Sequence, residues 1–356
     1  VEKPVAISEK QVLALQVASP SFEANIWVAM EYRYIPAIQK LHQLLPTIGE
    51  IKNVTIRENR FPFLTKIDEW NKDFEKTGDT LVEKCCHFFD LFRFISGQEM
   101  RSCTSKVHRG LLDEHYGYDR REDNPFPIID SAYVLLDFLP RNGSVNQNRC
   151  SRNYVGATPL QQSTLGCLEL CMFADGSRHQ EEIIVTGMRG RLEAYLPENK
   201  VFHYTRPNAN DWVDRSLPPP RSSIKEEVID CSNLSNVYSF ADEIPQHAGH
   251  HYCSTAIEWK YLIEQVENWQ KGDEFVPQVS LEDGIAAVEM GMKAQANISN
   301  KAQVEEKCPK PLVAFSTKSS EHLLNLAIDV AKISITPKQS EVDFGYNLYE
   351  EEEKGL

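Results

Sequence analysis

Hydrophobic and polar positions divide the chain into helical and extended stretches. Residues 8–19 carry a serine cap and apolar spacing that predict a short helix. Residues 24–31 (ANIWVAME) read as a buried strand, and 35–46 as an amphipathic helix ending before Gly49. Polar and apolar residues then alternate over 50–60, the period of a half-buried strand. Residues 79–95 read as one strongly apolar helix carrying a histidine and several charges. Short β-like runs follow at 101–109, 130–139, 166–174, 180–187, 190–195 and 200–204, some separated by turn signals such as Asp175-Gly176. Between them, 141–165 is polar and reads as a long loop. Residues 205–248, with Pro218 to Pro220, read as irregular. Two helices close the body. One spans 254–271, with Glu258, Trp259, Leu262, Val266 and Trp269 at helical spacing; the other spans 280–299 and opens on the box Ser280-Leu-Glu-Asp283. The pattern predicts an α/β (α+β) fold with a large, mostly antiparallel open sheet flanked by helices. Residues 302–356 read as a peripheral tail whose acidic end is disordered.

Composition narrows the function classes. The net charge of −14 disfavours nucleic acid and anionic membranes as partners. The short basic pieces (Arg120-Arg121, Arg189 to Arg191) are isolated and read as solvated surface. No apolar run approaches the ~20 residues that span a bilayer. Nine cysteines, an odd number without a CxxC pair, fit buried thiols in a reducing cytoplasm better than a disulfide framework. Cys167 and Cys171 would share one face of a strand, with no further ligands that suggest a metal. Val1 in place of Met reads as an incomplete start, and Glu2 and Lys3 follow it without an apolar leader.

Candidate chemistry gathers in Gly78-Asp-Thr-Leu-Val-Glu83-Lys84-Cys-Cys-His87. On a continuous helix Glu83 and His87 stand at i and i+4, and Lys84 and His87 at i and i+3. A histidine beside a carboxylate and an ammonium can be tuned as a proton shuttle near neutral pH, Glu83 favouring the charged ring and Lys84 the neutral one. A helix whose polar face merely holds Glu, Lys and His fits the same spacing. Glu2-Lys3-Pro4 taken alone is a loop, and Ser280 to Gly284 a helix start. Asp130, Arg178, His179 and Tyr252 are further pocket candidates, though a structural role is the better reading of each.

In this order and at these distances, the segments Glu2-Lys3-Pro4, Gly78…Glu83…His87 and Ser280 to Gly284 resemble the Gfo/Idh/MocA oxidoreductase family. The step Ile48-Gly49-Glu50-Ile51 and the runs within 130–193 resemble its first sheet strand and central hairpins. The resemblance covers about residues 1–300. It implies that residues 1–30 are the remnant of a Rossmann dinucleotide-binding domain and 31–301 the substrate-binding α/β domain. It implies NAD(P)-dependent hydride transfer to or from a hydroxyl-bearing carbon of a sugar, inositol or related polyol. His87 would be the general base, Lys3 would polarise the reacting oxygen and Glu83 would orient. Glu2, Lys3 and Pro4 would meet the cofactor, and Lys84, His87 and Tyr252 the substrate. It further implies a homo-oligomer joined through the open sheet face. Glu83 stands where Asp is commoner in the family, and Cys85 where Gly is usual. No G-x-G-x-x-G occurs in the chain, so the cradle for NAD or NADP phosphates is absent from it. The alternative is a degenerate relative that serves as a dimerisation or ligand-binding module.

Overall fold

The alternating runs assemble into one eight-stranded sheet. The computed structural model describes residues 1–18, 26–64, 66–111, 128–140, 163–207, 210, 214, 216–245 and 252–299. In chain order the elements are α1 (Glu9–Ala18), α2 (Pro36–Ile48), β1 (Ile51–Asn59), α3 (Phe74–Thr77), α4 (Thr80–Glu83), α5 (Cys86–Ser96) and β2 (Gln98–Arg109). Then come β3 (Ile129–Pro140), β4 (Thr164–Cys171), β5 (Glu181–Gly187), β6 (Gly190–Leu196), β7 (Lys200–Thr205) and β8 (Lys225–Asp230), closed by α6 (Ser254–Gln270) and α7 (Leu281–Ala296). The strand order is β2-β3-β4-β1-β5-β6-β7-β8. Every neighbouring pair is antiparallel except β1 with β4, so the expected mixed α/β fold with a large, mostly antiparallel sheet is the one observed.

Helices cover one face of the sheet. Pro36 fills the first turn of α2, where its missing N–H costs nothing, and Gly49 at φ 74° ends the helix. Ile38, Leu41, Leu45 and Ile48 recur on one side of α2 and are fully buried. Helix α5 is apolar nearly all round because it is sandwiched between the sheet and α7. On β4, Gly166 leaves room for the rings of Phe138 and Phe92, which a Cβ would meet at 2.9 and 3.1 Å.

Four stretches differ from the sequence reading. Residues 26–30 are extended but form no strand. Val28 N–H bonds Val279 and Ala29 N–H bonds Val1, then Met30 N–H turns back to Val28, which ends any ladder. Residues 79–95 are two helices, because the amides of both Lys84 and Cys85 reach the carbonyl of Thr80 at 3.0 Å. That extra residue widens the turn, as in a π-bulge. Strand β8 lies within the stretch read as irregular; its sequence KEEVID is exposed on both faces, so it shows no alternation. Thr164 and Leu165 belong to β4, while 141–162 and the tail from 300 onward lie outside the described residues.

A buried ion network joins the helices. Arg33 grips Asp90 with two bonds (2.6 and 2.5 Å) and stands 3.6 Å from Asp283. Arg93 bonds Asp283 at 2.9 Å and holds Glu99 with two bonds of 2.8 Å. Asp283 also closes the capping box of α7 with Ser280. The acid in the Ser280 to Gly284 motif therefore both caps α7 and balances two buried arginines.

Candidate active site

Two close approaches on α7 set the frame of the site. A Cβ on Gly284 would lie 2.9 Å from Val5, two residues beyond Lys3, and 3.1 Å from Val28. A Cβ on Gly291 would lie 2.4 Å from the carbonyl oxygen of Leu81, two residues before Glu83. Gly78 adds a third contact. It is left-handed at φ 69°, and a Cβ there would lie 2.7 Å from the carbonyl oxygen of Ile7. Asp79 then fixes the start of α4. One carboxylate oxygen accepts from the amides of Thr80 and Ile129 (2.7 and 2.8 Å), and the other faces Arg109 at 2.5 Å.

This frame brings Lys3 to the end of α4. Its ammonium donates to the Glu83 carbonyl at 3.0 Å and to the Glu83 carboxylate at 3.3 Å. Burial alone would lower the Lys3 pKa, but Cys86, Glu83 and Glu31 together raise it. The Cys86 thiol, pushed up to about 12 by its own burial, is neutral at physiological pH, so the two glutamates secure the ammonium there.

Lys3 and His87 line one cleft of about 920 Å³. The His87 ring is 3% exposed and lies against Tyr32, with centroids 4.5 Å apart. Glu2, Glu31 and Glu258 also line the cleft, and Trp27, Trp259 and Trp269 provide its apolar surface. Glu258 accepts from the Trp27 indole at 3.0 Å, and the Thr255 hydroxyl donates to Glu31 at 3.0 Å.

The other residues named from sequence are placed differently. Pro4 follows Lys3 through a cis peptide bond and is half-buried. Lys84 is not among the cleft-lining residues. Its ammonium bonds the Tyr32 hydroxyl at 2.8 Å and Glu58 at 3.1 Å, because Glu58 is fully buried on β1 and directly opposite buried Glu181. A cation is needed there, and the widened turn after Glu83 separates Lys84 from the Glu83 side. Tyr252 is also absent from the cleft lining. It is half-buried against the apolar core at φ 58°, and burial pushes its hydroxyl up to about 12. Arg178 and His179 both pair with Glu198 (2.9 and 2.5 Å), and Asp130 is buried on β3; none of the three lines the cleft. Nothing in the sequence singled out Glu31, Trp27 or Thr255. Glu258 carried one weak signal, a carboxylate within the spaced set that includes Trp259 and Trp269.

Among the described residues, no group of three or more His, Cys, Asp or Glu is placed to hold a metal ion. No described helix is long and apolar enough to cross a membrane.

Comparison with known proteins bears on this arrangement. The family model described as "Oxidoreductase family, C-terminal alpha/beta domain" (GFO_IDH_MocA_C) matches residues 46–305. The Bacillus subtilis protein YteT, named as an oxidoreductase, is 26% identical over 136 residues. That match spans 37% of this chain and only 31% of YteT. Among solved structures, an oxidoreductase domain protein from Kribbella flavida is similar at TM-score 0.57 and 18% identity, covering 84% of this chain and 71% of its own. An NAD binding oxidoreductase from Klebsiella pneumoniae gives 0.57 and 16%, with the same coverage. An inositol dehydrogenase homolog from Azotobacter vinelandii, solved with NADH and myo-inositol, gives 0.55 and 13%, covering 83% and 68%. At these identities the solved structures speak to the fold. The family match, which spans most of the sheet domain, shows the chain's kinship: it belongs to the Gfo/Idh/MocA oxidoreductase family, whose C-terminal α/β domain it carries.

Proposed function

We propose that the protein bearing this chain is an NAD(P)-dependent dehydrogenase acting on a CH–OH group of a small polyol or sugar. The observation that carries the reading is the shared cleft of Lys3 and His87, with Glu83 holding Lys3 in place. An alcohol gives up hydride readily only as its hydroxyl proton leaves. A base within hydrogen-bond reach of that hydroxyl therefore assists, and a fixed cation beside the developing alkoxide stabilises it. His87 takes the hydroxyl proton, and Lys3 donates to the same oxygen. Glu83 orients Lys3 and keeps it charged.

A bound nicotinamide would supply the hydride acceptor or donor. The residues present fit the nicotinamide end of such a cofactor, for which Glu2 and Lys3 would form the wall beside the base, with Pro4 fixing the turn behind them. They do not fit its pyrophosphate: the chain has no G-x-G-x-x-G, and Glu2, Glu31 and Glu258 would repel phosphate charge. We assign residues 1–30 to the end of a dinucleotide-binding domain, 31–301 to the substrate-binding domain and 302–356 to a peripheral segment, in a protein that works in the cytoplasm. The reading is tested by assaying a preparation that includes the phosphate-binding part, with NAD and with NADP, against inositols, aldoses, amino sugars and sugar acids. Turnover of a polyol is expected. Silence across the panel would reduce the domain to a ligand-binding or dimerisation module.

The sheet face that no described helix covers supports a homo-oligomer. Tyr133, Leu135 and Leu165 are 53%, 55% and 56% exposed on adjacent strands β3 and β4, interspersed with the paired charges of Glu169 and Arg57, a mixed surface of the kind subunit interfaces bury. Replacing Leu135 and Leu165 together by Asp is expected to reduce the mass measured by light scattering to that of a single chain. An unchanged mass would exclude this face as the interface.

A further inference from the structure

The cleft holds acidic groups that the proposed hydride chemistry does not use. Glu31 and Glu258 lie on two of its walls, on the turn before α2 and on α6, and Glu2 lies on a third segment. Among the described residues the cleft's one lysine, Lys3, is paired with Glu83, and the Val1 ammonium is bonded to the Trp27 carbonyl. Glu258 is only 6% exposed. One of its oxygens accepts from Trp27, and among the described residues neither a further hydrogen bond nor a salt bridge engages the carboxylate. Burying a carboxylate without a cation is costly. The environment records that cost: burial, reinforced by Glu31 and Glu2 and opposed only in part by the Trp27 bond and the Val1 ammonium, pushes the Glu258 pKa up to about 7. The neighbouring apolar surface is aromatic. Trp259 and Trp269 line the same cleft with large exposed areas, and an indole face attracts a cation as carboxylates do. Carboxylates and indoles share affinity for an ammonium group, whereas both are poor partners for an anion.

We propose that Glu258, with Glu31 beside it, makes this cleft select polyols that carry an amino group, such as an amino sugar or aminocyclitol, the ammonium lying against these carboxylates while a hydroxyl meets Lys3 and His87. The inference rests on the polyol reading of the site and narrows it to a substrate class. A sugar acid or sugar phosphate would meet like charge at the same wall.

The test needs no turnover, because Trp27, Trp259 and Trp269 report binding through their fluorescence. The chain is titrated at neutral pH with three probes of one ring frame: glucosamine, glucose and glucuronate. Glucosamine is expected to bind about tenfold tighter than glucose, the effect of one charge-assisted contact, and glucuronate weaker than either. Glu258→Gln, isosteric and uncharged, should erase the preference for the amine while glucose binding stays. Glu31→Gln should weaken the preference, and it serves as the second variant if the first fails to fold. Equal binding of glucosamine and glucose, binding of neither, or a preference that survives Glu258→Gln would each overturn the proposal. Its failure is separable from that of the dehydrogenase reading. A holoenzyme that oxidises neutral polyols without preference for amines keeps the latter and loses the former.

Discussion

If the proposed dehydrogenase reading holds, His87→Ala is expected to lower turnover of a polyol by about 10²–10⁴-fold, the range for removal of a general base. The measurement is steady-state oxidation with NAD or NADP in a preparation competent to bind the cofactor. The loss should fall on kcat, because the ring is asked to accept a proton in the transition state rather than to hold the ground state. Since the ring packs on Tyr32 and is almost wholly buried, alanine also leaves a cavity. His87→Gln keeps most of the bulk and separates the two effects. It should lose turnover to a similar degree with little change in melting temperature. A variant that retains turnover removes His87 from the mechanism. Lys3→Met should also lower kcat, while leaving the proton-accepting ionisation in the pH profile intact.

Asp283→Asn destabilises the fold by about 3–5 kcal/mol, the cost of breaking a buried ion pair from one side. The substitution leaves Arg93, and in part Arg33, without its counter-charge in the interior. Burial by itself would raise the pKa of Asp283, but Arg33 and Arg93 outweigh it and hold the carboxyl at about 2. The folded-state value therefore lies below the ordinary value of 3.8. The stabilisation is fully present above that unfolded value and is lost as pH falls from about 4 towards 2. Urea unfolding across that window should show the wild-type protein losing stability on acidification more steeply than Asp283→Asn. Parallel curves would mean that Asp283 is not the group responsible.

The architecture was readable where one local signal sufficed. The alternation in 50–60 and the run from 180 to 204 mark strands because one face is buried and the other is not. Strand β8 failed that condition, since its side chains are exposed on both faces and no period records its place. The break between α4 and α5 was hidden because Lys84 and Cys85 are ordinary helical residues. The widened turn accompanies the pairing of Lys84 with Glu58, a residue of β1 far away in sequence. Lys3, Glu83 and His87 could be grouped only by resemblance, as their spacings alone describe a loop and a polar helix face. The same limit explains Lys84 and Tyr252. Sequence proximity put Lys84 beside His87, but the buried charge on β1 claimed it, and Tyr252 went to the core instead of the cleft. Glu31 and Glu258 were out of reach for the opposite reason. They meet only when α6 folds over the turn before α2.

Gly284 and Gly291 stand two helical turns apart on α7, and each admits the backbone or branch of a segment that ends in a reactive group. One rigid rod thus gauges the gap between the amine and its acidic partner before any ligand arrives. On the proposed reading, a nucleotide arriving on this domain would meet that pair as a unit, its spacing already fixed. Under the same proposal, discrimination among substrates would fall to the wall built by α6, which α7 does not tether in this way.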